Sequence, residues 1–157
     1  MTVSIEVEDE AWASLARLEE LAQSAVESAL AGAGQEPAEC SVAVLFTDDE
    51  AISEINAEWR GKAKPTNVLS FPTPEDMPVP EGELRPLGDI VLAHGVISRE
   101  AAEQGKTLHD HTAHLIVHGT LHLLGFDHES DIEAEEMEAL ESRILKGLGI
   151  SDPYERD

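Results

Sequence analysis

The stretch from Leu108 to Leu124 most constrains the fold, because it is apolar almost all round and yet carries five histidines, four of them on one face. A helix with apolar residues on every side belongs in the interior of a domain. Each helical residue adds a turn of about 100°, so these four histidines fall within roughly 80° of one another. The sequence therefore predicts an interior helix that presents one stripe of imidazoles, namely His111, His114, His118 and His122.

Part of this stripe has the spacing of a metal site. His118 and His122 are four residues apart and project from the same helix face. Gly125 follows, and glycine commonly ends helices because it tolerates left-handed backbone angles, so His128 can turn back to the same ion. Three imidazoles leave a fourth position open for water, which is the catalytic arrangement of zinc. We expect one Zn²⁺ per chain, although imidazole also suits Ni, Cu and Fe.

The remaining histidines have different expected roles. His114 lies one turn before His118, where it suits support of a ligand or contact with substrate, although their four-residue spacing also fits a two-point metal contact. His111 is near the start of the helix and is predicted to be solvated. His94 and His109 lie off the stripe, and we expect no role for them.

The net charge of −23, from 10 Lys+Arg and 33 Asp+Glu, argues by itself against nucleic acid, because phosphate binding rests on cationic contacts. However, no acidic residue occurs from Trp59 to Pro74, where Arg60, Lys62 and Lys64 stand. A small cationic patch on an acidic body would bind an anion locally and repel it elsewhere. The alternative is a solvated, lysine-rich turn.

Length and composition favour a single domain over residues 1–157 of a cytoplasmic protein. The acidic N-terminus does not have the layout of a signal peptide, and no apolar run is long enough to cross a bilayer. Cys40 is the only cysteine and opens an apolar segment, so it is expected to be buried rather than reactive.

Periodicity predicts an α+β fold, with a mixed sheet of about four strands packed with helices and the metal-site helix in the interior. Strands are expected at 2–7, 41–46, 67–71 and 87–93, and a loop at 72–86. Helices are expected at 12–29, from a Thr47 cap through Trp59, at 97–104, from a Thr107 cap through the histidines, and from a Ser130 cap through Leu145. The apolar stripe of the last helix would begin at Ile132.

The spacing His-x-x-x-His-x-x-Gly-x-x-His is also that of the metzincin peptidases, so we expect a zincin-like arrangement of the metal-site helix. In those enzymes a glutamate follows the first histidine and serves as general base. Here that residue is Gly119, which cannot accept a proton. A zinc peptidase is therefore a less favoured interpretation.

The segment from His118 to His128 resembles the signature of the YbeY family, the single-strand-specific, metal-dependent endoribonucleases of bacterial ribosome maturation. The resemblance runs from about Thr47 to Tyr154, and Asn67 stands where the family leads us to expect an aspartate. The other similar segments are 56–72, 87–90, 135–137 and 152–154.

The resemblance implies zinc at His118, His122 and His128, with Arg60 acting on the RNA phosphate during maturation of the 16S rRNA 3′ end and ribosome quality control. The ribosome or ribosomal proteins would be its partners. A guanidinium matches phosphoryl oxygens with a planar fork, whereas a lysine offers a point charge. We expect Arg60, Lys62 and Lys64 to bind neighbouring phosphates of single-stranded RNA.

Two carboxylates are candidates for supporting roles. Asp127 directly precedes His128 and could orient an imidazole or relay a proton, although a turn-forming aspartate is the simpler interpretation. Asp89, on a predicted strand, could support a histidine from behind. The sequence leaves open whether water or the 2′-hydroxyl of the RNA attacks the phosphorus.

A non-enzymatic alternative also fits these patterns. The chain could be a metal-stabilised ribosome-assembly factor that binds RNA or a ribosomal protein through its basic segment, with little catalysis. Its acidic surface would suit basic ribosomal proteins.

Overall fold

The computed structural model describes residues 2–74, 78–127 and 130–150, and its centre is a mixed sheet of four strands in the order β1-β2-β4-β3. The strands are β1 (Thr2–Val7), β2 (Cys40–Thr47), β3 (Val68–Pro72) and β4 (Arg85–Ala93). β1, β2 and β4 are parallel neighbours, and β3 runs antiparallel to β4 at the edge. The predicted α+β fold with a four-stranded mixed sheet is confirmed.

Five helices surround this sheet within the described residues. They are α1 (Leu18–Gly32), α2 (Asp49–Arg60), α3 (His94–Gln104), α4 (Leu108–Leu123) and α5 (Asp131–Gly147). The first, fourth and fifth pack together on one face, which we call the inner face, while α2 lies on the opposite, outer face. None of the helices in the described ranges is both long and apolar enough to cross a bilayer.

Alternation along the strands separates two apolar clusters. On β2, Val42, Val44 and Phe46 are buried toward the inner face, where they join the main core with α1, α4 and α5. A smaller cluster on the outer face contains Ile52 of α2 and Leu69 of β3. The core face is thus set by the period of two that every strand imposes on its side chains.

The histidine-bearing helix α4 lies in the interior, as its composition predicts. Thr107 caps it by accepting a hydrogen bond from the Asp110 amide at 3.0 Å, and Gly125 follows its end with φ of 96°. Gly119 lets the helix approach the sheet closely, since a Cβ there would lie 3.1 Å from both Ile90 Cγ2 and Ser70 Oγ. The Ser70 hydroxyl donates to the Gly119 carbonyl at 3.2 Å across this contact.

The first predicted helix is interrupted. A 3-10 helix (Glu10–Ser14) comes first, and Arg17, with φ of 56°, separates it from α1. The physical reason is the fully buried Trp12, whose indole nitrogen donates to the Thr47 carbonyl at 2.9 Å. This tertiary contact keeps Trp12 out of the continuous helix that the apolar spacing of residues 12–29 predicts.

Three further predictions of element boundaries and burial are wrong. Asp48, not Thr47, caps α2, because Thr47 is still part of β2 and the Asp48 carboxylate accepts from the Ala51 amide at 2.8 Å. The third helix starts three residues early, where the Asp49 carboxylate accepts from Val96 N at 3.0 Å. Ile132 is 70% exposed in the first turn of α5, outside the core. By contrast, Cys40 is buried as predicted, and burial raises the pKa of its thiol.

We predict that Leu30→Ala, at a fully buried position of α1, lowers the free energy of unfolding by about 2–5 kcal/mol, because it removes apolar contacts and leaves a cavity. Ile132→Ala, at the exposed position, should change it by no more than about 0.5 kcal/mol. Urea denaturation followed by circular dichroism measures both. Equal losses in the two variants would contradict this placement of the core.

Candidate functional site

The last turns of α4 bring two imidazoles together. His118 and His122 project from the same face, and their Nε2 atoms are 2.9 Å apart. Two nitrogens that share a tetrahedral zinc at roughly 2.0–2.1 Å lie about 3.3 Å from each other. The pair is therefore close to the separation that a common metal ion requires, and both side chains remain partly exposed.

A buried carboxylate stands behind this pair. Glu141 of α5 is fully buried, and its Oε1 accepts a hydrogen bond from His118 Nδ1 at 2.5 Å. Because a carboxylate only accepts, the Nδ1 of His118 carries the proton. The Nε2 of His118 faces His122, in the manner of histidines that bind metals with a carboxylate behind them.

The same carboxylate holds a third histidine of the stripe. His114 Nε2 donates to the other oxygen, Oε2 of Glu141, at 3.2 Å. His114 and His118 thus reach Glu141 through different ring nitrogens. In this arrangement His114 supports the carboxylate that orients His118, while its predicted contact with substrate stays a prediction.

Sequence reasoning missed Glu141, although a signal exists. Glu141 follows Met137 by four residues and precedes Ile144 and Leu145 by three and four, so it occupies a core position of an amphipathic helix. A carboxylate at such a position must have buried partners, because an unpaired buried charge is costly. Matching it to the imidazole stripe would have required knowing that α5 packs against α4.

The third predicted ligand, His128, lies outside the described residues. Asp127 is exposed directly before it, beyond the turn at Gly125. Among the described ranges, no three His, Cys, Asp or Glu side chains form a group that could hold a metal. The complete ligand set of His118, His122 and His128 therefore stays a prediction.

The structure separates Asp89 from the histidines of α4. Asp89 pairs with Ala43 and Phe71 on the outer face of the sheet, whereas its neighbour Ile90 points to α4 on the inner face. Its side chain lines a cavity of about 720 Å³ together with Trp59 and Phe71. The interpretation of Asp89 as support for a histidine of α4 is wrong, because Asp89 and the imidazole stripe lie on opposite sides of the sheet.

The cationic residues lie in a loop that leads to the edge strand. Arg60 is the last residue of α2, and Gly61 with φ of 69° turns the chain into the segment that carries Lys62 and Lys64. All three cationic side chains are exposed. We call residues 60–67 the basic loop. It enters β3, the strand whose Ser70 contacts α4 next to His118, so β3 connects the basic loop with the histidine helix.

The end of the basic loop is fixed by a polar chain. Asn67 Nδ2 donates to Glu100 Oε1 at 3.0 Å, and the same oxygen accepts from His111 Nε2 at 3.0 Å. His111 is 3% exposed, so its predicted solvation is wrong: it lies under α3 instead of facing water. An aspartate at position 67 would set two carboxylates against each other, whereas the amide of Asn67 gives Glu100 a donor.

The fold and the histidine pair define a class: an α+β protein that displays imidazoles from an interior helix, backed by a buried carboxylate. The family model described as Endoribonuclease YbeY matches residues 4–149. The chain belongs to this family.

Individual relatives agree over nearly the full length. The Endoribonuclease YbeY of Azorhizobium caulinodans is 51% identical over 156 residues, which cover 98% of this chain and 96% of that protein. The Endoribonuclease YbeY of Dinoroseobacter shibae is 49% identical over 165 residues, with 98% and 91% covered. The solution structure of TM1509 from Thermotoga maritima is similar with a TM-score of 0.57 and 25% identity, covering 98% and 99% of the two chains.

Burial lowers the pKa of His111 below its usual 6.5, although the neighbouring Glu100 opposes the shift. The unfolded chain then binds more protons than the folded one, so stability contributed by His111 is present above 6.5 and is lost as the pH falls toward the folded pKa. We predict that, without metal, the free energy of unfolding falls more steeply on acidification for the wild-type protein than for His111→Gln. The difference between the two slopes should be at most about 1.4 kcal/mol per pH unit.

Urea denaturation of both proteins at pH values from 6.5 downward, with a chelator present, measures the difference in their free energies of unfolding. The variant keeps a side-chain donor for Glu100 but cannot titrate. Parallel pH profiles, or a wild-type advantage that grows on acidification, would show that the folded pKa is not lowered.

Proposed function

We propose that this protein is a zinc-dependent endoribonuclease that cleaves single-stranded RNA in the cytoplasm. Its role would be maturation of the 16S rRNA 3′ end and ribosome quality control. The observation that carries the proposal is the convergence of His118 and His122, backed by Glu141, on a helix joined through β3 to an exposed basic loop. Membership of the endoribonuclease family supports the choice of RNA as substrate.

We propose that these residues hold a zinc ion in a zincin-like arrangement. His118 and His122 would hold it through their Nε2 atoms, with His128 as the proposed third ligand. Glu141 holds the Nδ1 proton of His118, so Nε2, which faces His122, is the nitrogen that would bind the metal. When bound, zinc supplies a Lewis acid and lowers the pKa of a coordinated water to about 7.

Arg60 would bind the phosphate that is cleaved. Phosphodiester cleavage increases the negative charge on the phosphoryl oxygens, and a guanidinium fork matches two of them at once. Lys62 and Lys64 follow on the same exposed loop and would bind adjacent phosphates. The rest of the chain carries the excess of acid, which confines RNA to this loop and suits basic ribosomal proteins as partners elsewhere.

The packing of Gly119 argues against a peptidase of the metzincin type. Its α-carbon faces Ile90 and Ser70, and even a Cβ would make contacts of 3.1 Å there. A glutamate general base after His118 would therefore collide with the sheet. Proton transfer would use another group, for which we propose Asp127, and either water or the 2′-hydroxyl of the RNA would be the attacking group.

We predict that Arg60→Glu reduces kcat/KM for a single-stranded RNA by at least about 100-fold, because it removes a donor that stabilises the charge of the transition state. Arg60→Lys should show an intermediate loss, since it keeps the charge but not the fork. Cleavage is followed with a fluorescently labelled oligonucleotide, and zinc content and thermal unfolding are measured on the same samples.

Arg143→Glu provides the matched control. It makes the same change of charge at an exposed position of α5, a helix that packs against α1 and α4, and should leave cleavage near the wild-type rate. If Arg60→Glu cuts RNA normally, the role assigned to Arg60 is wrong.

For the metal, we predict that Glu141→Gln raises the dissociation constant for zinc about 10- to 100-fold, because His118 loses the charged partner that orients its ring. Competition with a chromophoric chelator measures the affinity without reference to activity. Glu136→Gln, at an exposed position of the same helix, should bind zinc like the wild type. Equal affinities for all three proteins would show that Glu141 does not support the ligand.

A further inference from the structure

The basic loop is tied back to the helix that precedes it. Asn56 of α2 is 3% exposed, and its Nδ2 donates to the Lys64 carbonyl at 3.0 Å. Its own carbonyl accepts from the Lys62 amide at 3.3 Å. One buried residue therefore contacts the backbone of both lysines, with its side chain and with its main chain.

These contacts define the path of the loop. Gly61 reverses the chain in a left-handed conformation, and the Lys64 amide donates to the Lys62 carbonyl at 2.9 Å. Without the bond from Asn56, the Lys64 carbonyl would lose the hydrogen bond that draws this turn against α2. The backbone is thus fixed from inside, while the side chains of Arg60, Lys62 and Lys64 remain exposed.

The chemical type of residue 56 supports a role in the loop. Asparagine is a poor helix former, and burial of its amide is costly unless it is hydrogen-bonded. Position 56 lies one turn after the fully buried Ile52, where an apolar side chain would satisfy packing alone. The side-chain bond that the amide makes in the structure reaches the basic loop.

We infer that Asn56 is a positioning residue for RNA binding. It touches no RNA itself but holds the basic loop so that its three cations form one preformed set for successive phosphates. A loop that is already ordered loses less conformational entropy when RNA binds. Removal of the Asn56 side-chain bond should therefore weaken RNA binding more than it slows the chemical step. This inference rests on the proposed function.

The test uses Asn56→Leu in the full chain, because leucine has the same number and branching of side-chain heavy atoms but no donor. We expect KM for single-stranded RNA to rise roughly 3- to 10-fold, as for the loss of one buried hydrogen bond, with kcat within about twofold of the wild type. Limited trypsinolysis of the folded protein provides a readout without RNA. Cleavage after Arg60 and Lys62 should accelerate, whereas Lys64 is followed by Pro65 and resists trypsin.

Ile52→Val is the matched control, since it weakens the packing of the same helix but removes no bond to the loop. It should leave both KM and trypsin cleavage within the basic loop unchanged. If Asn56→Leu does not fold, Asn56→Asp takes its place, because it keeps the shape and turns the donor into an acceptor that faces the Lys64 carbonyl.

Two results would overturn the inference: wild-type KM and trypsin rates in the Asn56 variant, or a parallel loss of kcat and stability that Ile52→Val reproduces. Failure of the proposed function is distinguishable. In that case the wild-type protein with zinc does not cut RNA, while trypsinolysis still reports whether Asn56 orders the loop.

Discussion

The buried carboxylate of Glu141 sets the arrangement on which the candidate site depends. A charge at a fully buried position is tolerated only with close hydrogen-bonding partners. Here two imidazoles of α4 donate to it, one to each oxygen. The contact joins α4 to α5 and fixes which nitrogen of His118 faces His122. The same contact therefore stabilises the packing of α4 against α5 and orients the proposed metal ligand His118.

The position of α4 against the sheet completes this geometry. Gly119 allows the helix to lie directly on Ile90 and Ser70, which brings the imidazole pair close to the edge strand β3. The basic loop leads into the same strand, with Asn56 holding its middle and Asn67 its end. Cations and imidazoles that are about sixty residues apart in the chain are thereby tied to one structural element.

Local signals were reliable where a residue depends only on its neighbours in sequence. The caps at Thr107 and Ser130, the end of α4 near Gly125 and the four strands follow from hydrogen bonding and periodicity within a few residues. Failures occurred where a distant contact decides. Trp12 leaves its helical pattern to bond with Thr47, and His111 is buried by its bond to Glu100. Neither partner can be identified from local spacing.

The sequence by itself determined the interior helix, its stripe of imidazoles and the acid-free basic segment, because composition and period act along the chain. Only the tertiary structure decided what surrounds them. It placed Asp89 on the far face of the sheet, gave His114 and His118 the shared carboxylate of Glu141, and joined Asn56 to the Lys64 carbonyl. Those outcomes depend on how helices and strands pack against one another, and side-chain partners across such contacts are set by three-dimensional distance rather than by spacing in the chain.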